Sequence, residues 1–239
     1  AQVRVEGYNF DIRKHVLEYD NVVNKQRTVV YAERRKILSR DDLHDDIMDM
    51  VETEIRRLVH SHLSEGNDER DLNTLLSELR RFIPLPRDYK PASVDPDALV
   101  AELVELADRS YWRLNTEAGE GIYQSLRQQE QSLKAMEESR DPALKAIAVQ
   151  AQQGIAPETL EAFYDQPLRR LPMEAEEHIS ATFAQVYRLY RDRRLMLQQL
   201  DEHWVRHLTS LDMLREGIGL RAVAQQNPLV AYQKEAFEM

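Results

Sequence analysis

The 239-residue sequence contains no cysteine, which excludes disulfides and thiolate-bound zinc and leaves the redox compartment unread. It contains no apolar run near the ~20 residues that cross a bilayer as a helix, and its first residues, AQVRVEGYNF, have no signal-peptide core. Basic excess is missing too. Lys and Arg number 32 against 42 Asp and Glu, a net charge of -10, so nucleic-acid binding is not expected. Glycine is scarce, at 7 residues, and aromatics make up 7%. GxxxxGK[ST], GxGxxG and GxSxG are all absent, so nothing points to nucleotide binding or a nucleophile elbow in this chain.

What remains is rich in Glu, Arg, Leu, Ala and Gln, which favour helix. The spacing predicts an all-α protein with long helices at both ends and a punctuated middle. From Tyr8 to Glu65 there is neither Gly nor Pro. Ile12, Val16, Tyr19, Val23, Val30 and Ile37 keep an alternating three-four spacing, with Gln26 and Glu33 at the skipped steps: the seam of a long helix packed lengthwise on others. Ser39 or Asp41 can restart the helix, and Leu43, Ile47, Val51, Ile55 and Leu58 continue the pattern. The run from Ser64 to Asp71 reads as a boundary, and Leu72 to Phe82 as a short helix. Pro84, Pro86, Pro91 and Pro96 then mark an extended linker. Asp95-Pro96 starts a helix expected to pass Gly119 and Gly121 to about Glu138. Asp141-Pro142 opens another, which Gly154 ends, and Pro157 begins one more that reaches Tyr164. From Glu174 the helical pattern is unbroken.

The last segment reads as a helical hairpin. Leu197, Leu200, Trp204, Leu208, Leu211, Leu214 and Ile218 share one face. Gly217 and Gly219 supply backbone freedom where the first helix is expected to end. Asn227-Pro228 starts the returning helix. One discontinuous domain, about 1–63 plus 174–239, is thus expected around an inserted lobe at about 64–173. The chain reads as a piece of a longer protein.

Candidate chemistry is thin. His203 and His207 have the spacing of a helical metal pair, but Trp204 stands where a zinc protease needs Glu, and no third ligand is signalled. His60 and His62 face different ways. Asp41-Asp42, Asp45-Asp46 and Glu174 with Glu176-Glu177 read as solvated faces or first-turn complements to the helix dipole. Arg188, Arg191, Arg193 and Arg194 read as a solvated or salt-bridged face. Trp112 and Trp204 are expected to pack in the core. No catalytic, cofactor-binding or metal residue is assigned. A free-standing helical adaptor is the main alternative from another class; a metalloenzyme built on the histidines is the weakest.

Five stretches carry a family resemblance. LDEHWVRHL (200–208), LREGIGLRAVAQQNPL (214–229) and YQKEAF (232–237) resemble the two-helix finger of the SecA family, the ATPase motors of bacterial protein export. GYNFDIRKHVLEYDNVVNKQRTVVYAERRKIL (7–38) resembles the start of that family's helical scaffold domain. LADRSYWRLNTEAGEGIY (106–123) resembles its helical wing domain, while about 127–184 lies outside the resemblance and is expected to be an insertion. The resemblance implies a scaffold-plus-wing fragment with a finger at about 189–239. ATP and Mg would belong to the parent protein's nucleotide-binding domains and not to this fragment. Those domains of the same parent chain, the SecYEG channel and the unfolded preprotein are the implied partners. The implied location is cytoplasmic, peripheral at the inner face of the plasma membrane. By position, Leu220, Arg221, Ala222, Val223, Ala224 and Gln225 carry over as the finger tip that contacts channel and preprotein. Val223 stands in a tip where many family members have tyrosine.

Overall fold

The computed structural model describes residues 2–63, 69–221 and 228–239, with side chains described for 17–63, 71–218 and 229–239. Among the described residues every regular element is helical, as the periodicity requires: α1 (Gln2–Ser39), α2 (His44–Leu63), α3 (Glu69–Leu79), α4 (Pro96–Gln128), α5 (Leu133–Glu137), α6 (Pro142–Gln152), α7 (Pro157–Phe163), a 3-10 turn (Leu168–Arg170), α8 (Met173–Arg221) and α9 (Pro228–Glu238). The chain forms two compact units, Ala1–Arg40 with Arg193–Met239, and Asp41–Asp192. The boundaries expected at 63/64 and 173/174 lie inside the second unit. There α2 packs on α3 and α4, so the break falls at the polar run that ends α1.

The Asp41–Asp192 unit has two apolar cores that share α4. Its N-terminal half supplies Leu99, Val100, Leu103 and Ala107 to a core with Ile55, Leu58, Val59 and Leu63 of α2 and Leu75, Leu76 and Leu79 of α3. Ile83 and Leu85 join that core, so the proline-rich stretch is a packed loop and not a free linker. Glu102 pins it, accepting from the Tyr89 hydroxyl at 2.9 Å and the Ala92 amide at 3.0 Å. Further along α4, Tyr123 enters a second core with Leu133, Met136, Ile147, Ala148, Ala151 and Leu168, closed by Ile179, Phe183 and Val186 of α8. The segment expected to be an insertion, about 127–184, therefore builds most of this second core.

Local signals explain the breaks between helices. Asp95 accepts from the Ala98 amide and Pro96 opens α4; Asp141 accepts from the Ala143 amide and Pro142 opens α6. These caps satisfy amides that a helix start leaves orphaned. Helix α4 was expected to reach about Glu138 and instead ends at Gln128. Glu130 adopts a positive φ of 58°, which turns the chain before Ser132 caps α5 by accepting from the Ala135 amide. Gly119 does not weaken α4 without return. A Cβ there would lie 2.5 Å from the Ala184 Cα, so the missing side chain is what lets α4 and α8 approach this closely.

In the other unit, α1 pairs with the later part of α8, and α9 lies on both. Val22, Leu211, Ile218, Tyr232 and Ala236 form its core. The expectation that α8 ends at Gly217 and Gly219 is corrected: the helix runs through both to Arg221. Two glycines cost a helix about 2 kcal/mol, and the burial of Ile218 in the core it shares with Val22, Leu211 and Tyr232 outweighs that.

Candidate functional site

The expected finger tip divides. Leu220 and Arg221, expected in the loop, are the last residues of α8, although their side chains lie outside those described. Ala222, Val223, Ala224 and Gln225 lie outside the described residues altogether. The stem that would carry them is described, and polar contacts fix its register.

Arg34 of α1 pairs with Asp201 of α8. Gln26 meets His207, Oε1 to Nε2, at 3.0 Å. Asp20 pairs with Arg215 at 3.7 Å, and the Arg215 guanidinium lies 5.3 Å from the centre of the Tyr19 ring. Arg193 donates to the carbonyl of Arg40 at 2.6 Å, placing a cation on the orphaned carbonyls at the end of α1. Each step back along α1 matches a step forward along α8, so the two run antiparallel. The returning α9 is held by Gln26, whose side-chain amide donates to the Ala236 carbonyl at 2.7 Å. One turn back on α9 and two turns back on α1, the Tyr19 and Tyr232 rings meet edge-on at 4.8 Å. Thus α9 is parallel to α1 and antiparallel to α8, the arrangement a helical hairpin demands. Gln26, a polar break in the apolar seam, bridges both other helices of its unit.

His207 is therefore a hydrogen-bonding partner of Gln26 and stacks on Trp204 at 5.8 Å. His203 is exposed, and no group of three or more His, Cys, Asp or Glu suited to a metal occurs among the described residues. Trp204 is half-buried.

The Asp41–Asp192 unit holds a polar junction that composition alone misread. Arg188 is 4% exposed and Asp192 3%. The Arg188 guanidinium grips Asp42 with two bonds, Nη1 to Oδ1 at 2.8 Å and Nη2 to Oδ2 at 2.5 Å. The same Nη1 lies 3.1 Å from the Tyr111 hydroxyl, and Tyr111 donates to Asp192. Arg191 supplies Asp192 with a further ion pair at 3.3 Å. Such a fork-to-carboxylate pair is the strongest geometry available to these groups. The Arg188 hydrogen bonds hold the Asp42 carboxyl at about 2, down from 3.8, against the opposing effect of burial. Asp42 in turn raises the Arg188 pKa. Burial pushes the Tyr111 phenol up, and its bond to Asp192 adds to the shift.

Trp112, expected in the core, is instead 44% exposed. It lies 4.8 Å from the Arg188 guanidinium and 5.0 Å from His44. His44 contacts Asp108 at 2.7 Å, and its backbone amide donates to Asp42. Indole, tilted imidazole and guanidinium cluster together, and the cation–π contact of Arg188 on Trp112 explains why an apolar-stripe residue remains at the surface. Asp42 is thus no freely solvated carboxylate, and Arg188 is the salt-bridged member of a basic face expected to be solvated or salt-bridged, here also buried. No short motif could have revealed this pair, because 146 positions separate its members.

Each unit by itself is built of helices joined through apolar seams and sparse polar contacts, the make-up of an all-α protein. The chain belongs to the SecA Wing and Scaffold domain family, whose profile matches residues 1–239. It is 37% identical over its full length to the protein translocase subunit SecA of Herpetosiphon aurantiacus. The SecA subunits of Roseiflexus sp. (33%, full length) and Frankia casuarinae (34%, full length) are also similar. The chain spans 20% of the first of these relatives and 18% of the other two. No described helix is long and apolar enough to cross a membrane.

Proposed function

We propose that this chain is the mechanical coupling part of a SecA-type protein-export motor. It links the nucleotide-binding domains of the same parent chain to the SecYEG channel and the unfolded preprotein through a two-helix finger, and it carries no ATPase activity itself. In this reading Ala1–Arg40 with Arg193–Met239 is scaffold and finger, Asp41–Asp192 holds the wing, and the parent works at the cytoplasmic face of the membrane. ATP and Mg serve the parent's other domains. The observation that carries the reading is the folded-back helix α9, whose Tyr232 is 1% exposed and which is registered against both α1 and α8 through Gln26. Hairpins supported in this way are tied to the long helix by an apolar seam pinned at intervals by polar contacts.

A photo-cross-linker at position 223 of the full-length protein tests the reading. Capture of channel or of a translocating preprotein is expected, and cross-links confined to this chain would refute the tip assignment. The isolated chain is expected to show no ATP hydrolysis above buffer.

A further inference from the structure

The polar junction opens onto a groove of about 730 Å³ between α4 and α8. Trp112, Asn115, Thr116 and Glu120 line it from α4, and Glu177 and Ala181 from α8. Asp42 and Arg188 close one end. We propose that this groove binds a basic polypeptide segment, taking up a lysine or arginine side chain.

Three features carry the assignment. The first is charge: Asp42, Glu120 and Glu177 face a single cation, Arg188, which Asp42 already engages and Asp192 flanks at 3.8 Å. Glu120 and Glu177 are exposed and have no ion pair among the described residues. The second is an orphaned acceptor. Asn115 is 3% exposed, and its amide nitrogen donates to the Tyr111 carbonyl at 2.8 Å. That bond fixes the orientation of the carboxamide. Its Oδ1 is left with no partner among the described residues. A buried acceptor without a donor is costly, and an ammonium or guanidinium offers the donors it lacks. The third is a wall for the aliphatic stem, supplied by the exposed part of the Trp112 indole and by Ala181, since long cationic side chains lay their methylenes along apolar surface. The same acidity that attracts a basic peptide repels nucleic acid. This binding is independent of what Val223 contacts.

The test uses the full-length protein carrying this chain and two fluorescein-labelled peptides, one of Lys, Ser and Leu and its counterpart with Glu for Lys. Fluorescence anisotropy at low salt should show the Lys peptide binding and the Glu peptide not. The double variant Glu120→Gln, Glu177→Gln should weaken the Lys peptide by about tenfold or more, a loss of ~1.4 kcal/mol or greater in binding free energy. A second double variant, Glu158→Gln with Glu161→Gln, makes the same charge change on exposed positions of α7. It should leave affinity within about twofold, well under one decade. The proposal is overturned if the wild-type protein does not bind the Lys peptide. Equal losses in the two double variants would mean general acidity and not a site, and equal binding of the Glu peptide would also overturn it. Circular dichroism melts of both variants check that the fold is retained.

Discussion

Replacing Asp42 with asparagine removes one charge from the Arg188 pair while keeping shape and one acceptor oxygen. The depression of the Asp42 pKa from 3.8 to about 2 corresponds to ~2.5 kcal/mol at ~1.4 kcal/mol per pKa unit. The Asp42 side chain is 48% exposed, so solvent screening reduces this to about 1–1.5 kcal/mol. Against that, the Arg188 side chain is 5% exposed and would be left with a single flanking carboxylate, which raises the expected loss towards ~2 kcal/mol. The expected destabilisation of D42N at pH 7 is therefore about 1–2 kcal/mol. Its pH dependence is specific. Because folding lowers this pKa, the stabilisation is complete above the unfolded value of 3.8 and is lost as the pH falls through about 2. The gap between wild type and D42N should thus be constant from neutral pH down to about 5 and close progressively between about 4 and 2. Urea unfolding of the chain in a Trp204→Phe background reads this directly, since Trp112, 4.8 Å from Arg188, is then the remaining tryptophan. A D42N variant equal to wild type at pH 7, or a gap that persists unchanged to pH 2, would refute the reasoning.

Other substitutions probe the packing. Gly119→Ala should destabilise the Asp41–Asp192 unit by ~1–3 kcal/mol, because the new methyl meets Ala184 backbone at 2.5 Å and the overpacking outweighs the gain in helix propensity. Gly217→Ala should do the opposite, stabilising α8 by ~0.5–1 kcal/mol, since a Cβ there meets nothing within 4 Å; thermal melts of the two variants should shift in opposite directions. Tyr232→Ala empties a site that is 1% exposed and should cost ~3 kcal/mol or more, read as lost hydrogen-exchange protection in α9. Tyr111→Phe removes the phenol that donates to buried Asp192 and should cost ~1–3 kcal/mol, measured by urea unfolding.

The starts of the helices were legible because their signals are local. Asp95-Pro96, Asp141-Pro142, Pro157 and Asn227-Pro228 each stand immediately before or at the first residue of a helix. Stops were less so. Glu130 takes its positive φ with neither Gly nor Asn to announce it, and Gly217, which does announce a stop, lies within α8 because tertiary packing overrides propensity. The helical hairpin followed from the spacing of Leu211 and Ile218, whose burial matches the stripe that contains them. The junction around Arg188 was not legible. Its arginine, carboxylates, tyrosine and tryptophan sit on three separated segments; the charged members alone resemble ordinary surface residues, and Trp112 resembles a core one. Gln26 belongs between these cases: its place in the seam was visible, but its two partners, at 207 and 236, were not.

The spaced polar contacts between α1 and α8 have a consequence for force. Sliding one rod past the other by a single turn, ~5.4 Å, would break the pairs at Arg34, Gln26 and Asp20 together; a slide that brought His203 to Gln26 would leave Arg34 and Asp20 facing Leu197 and Leu211, so the three are not remade together. A compressive thrust delivered along α8 should therefore move α1 and α9 with it as one strut, and yield by bending before it yields by shear.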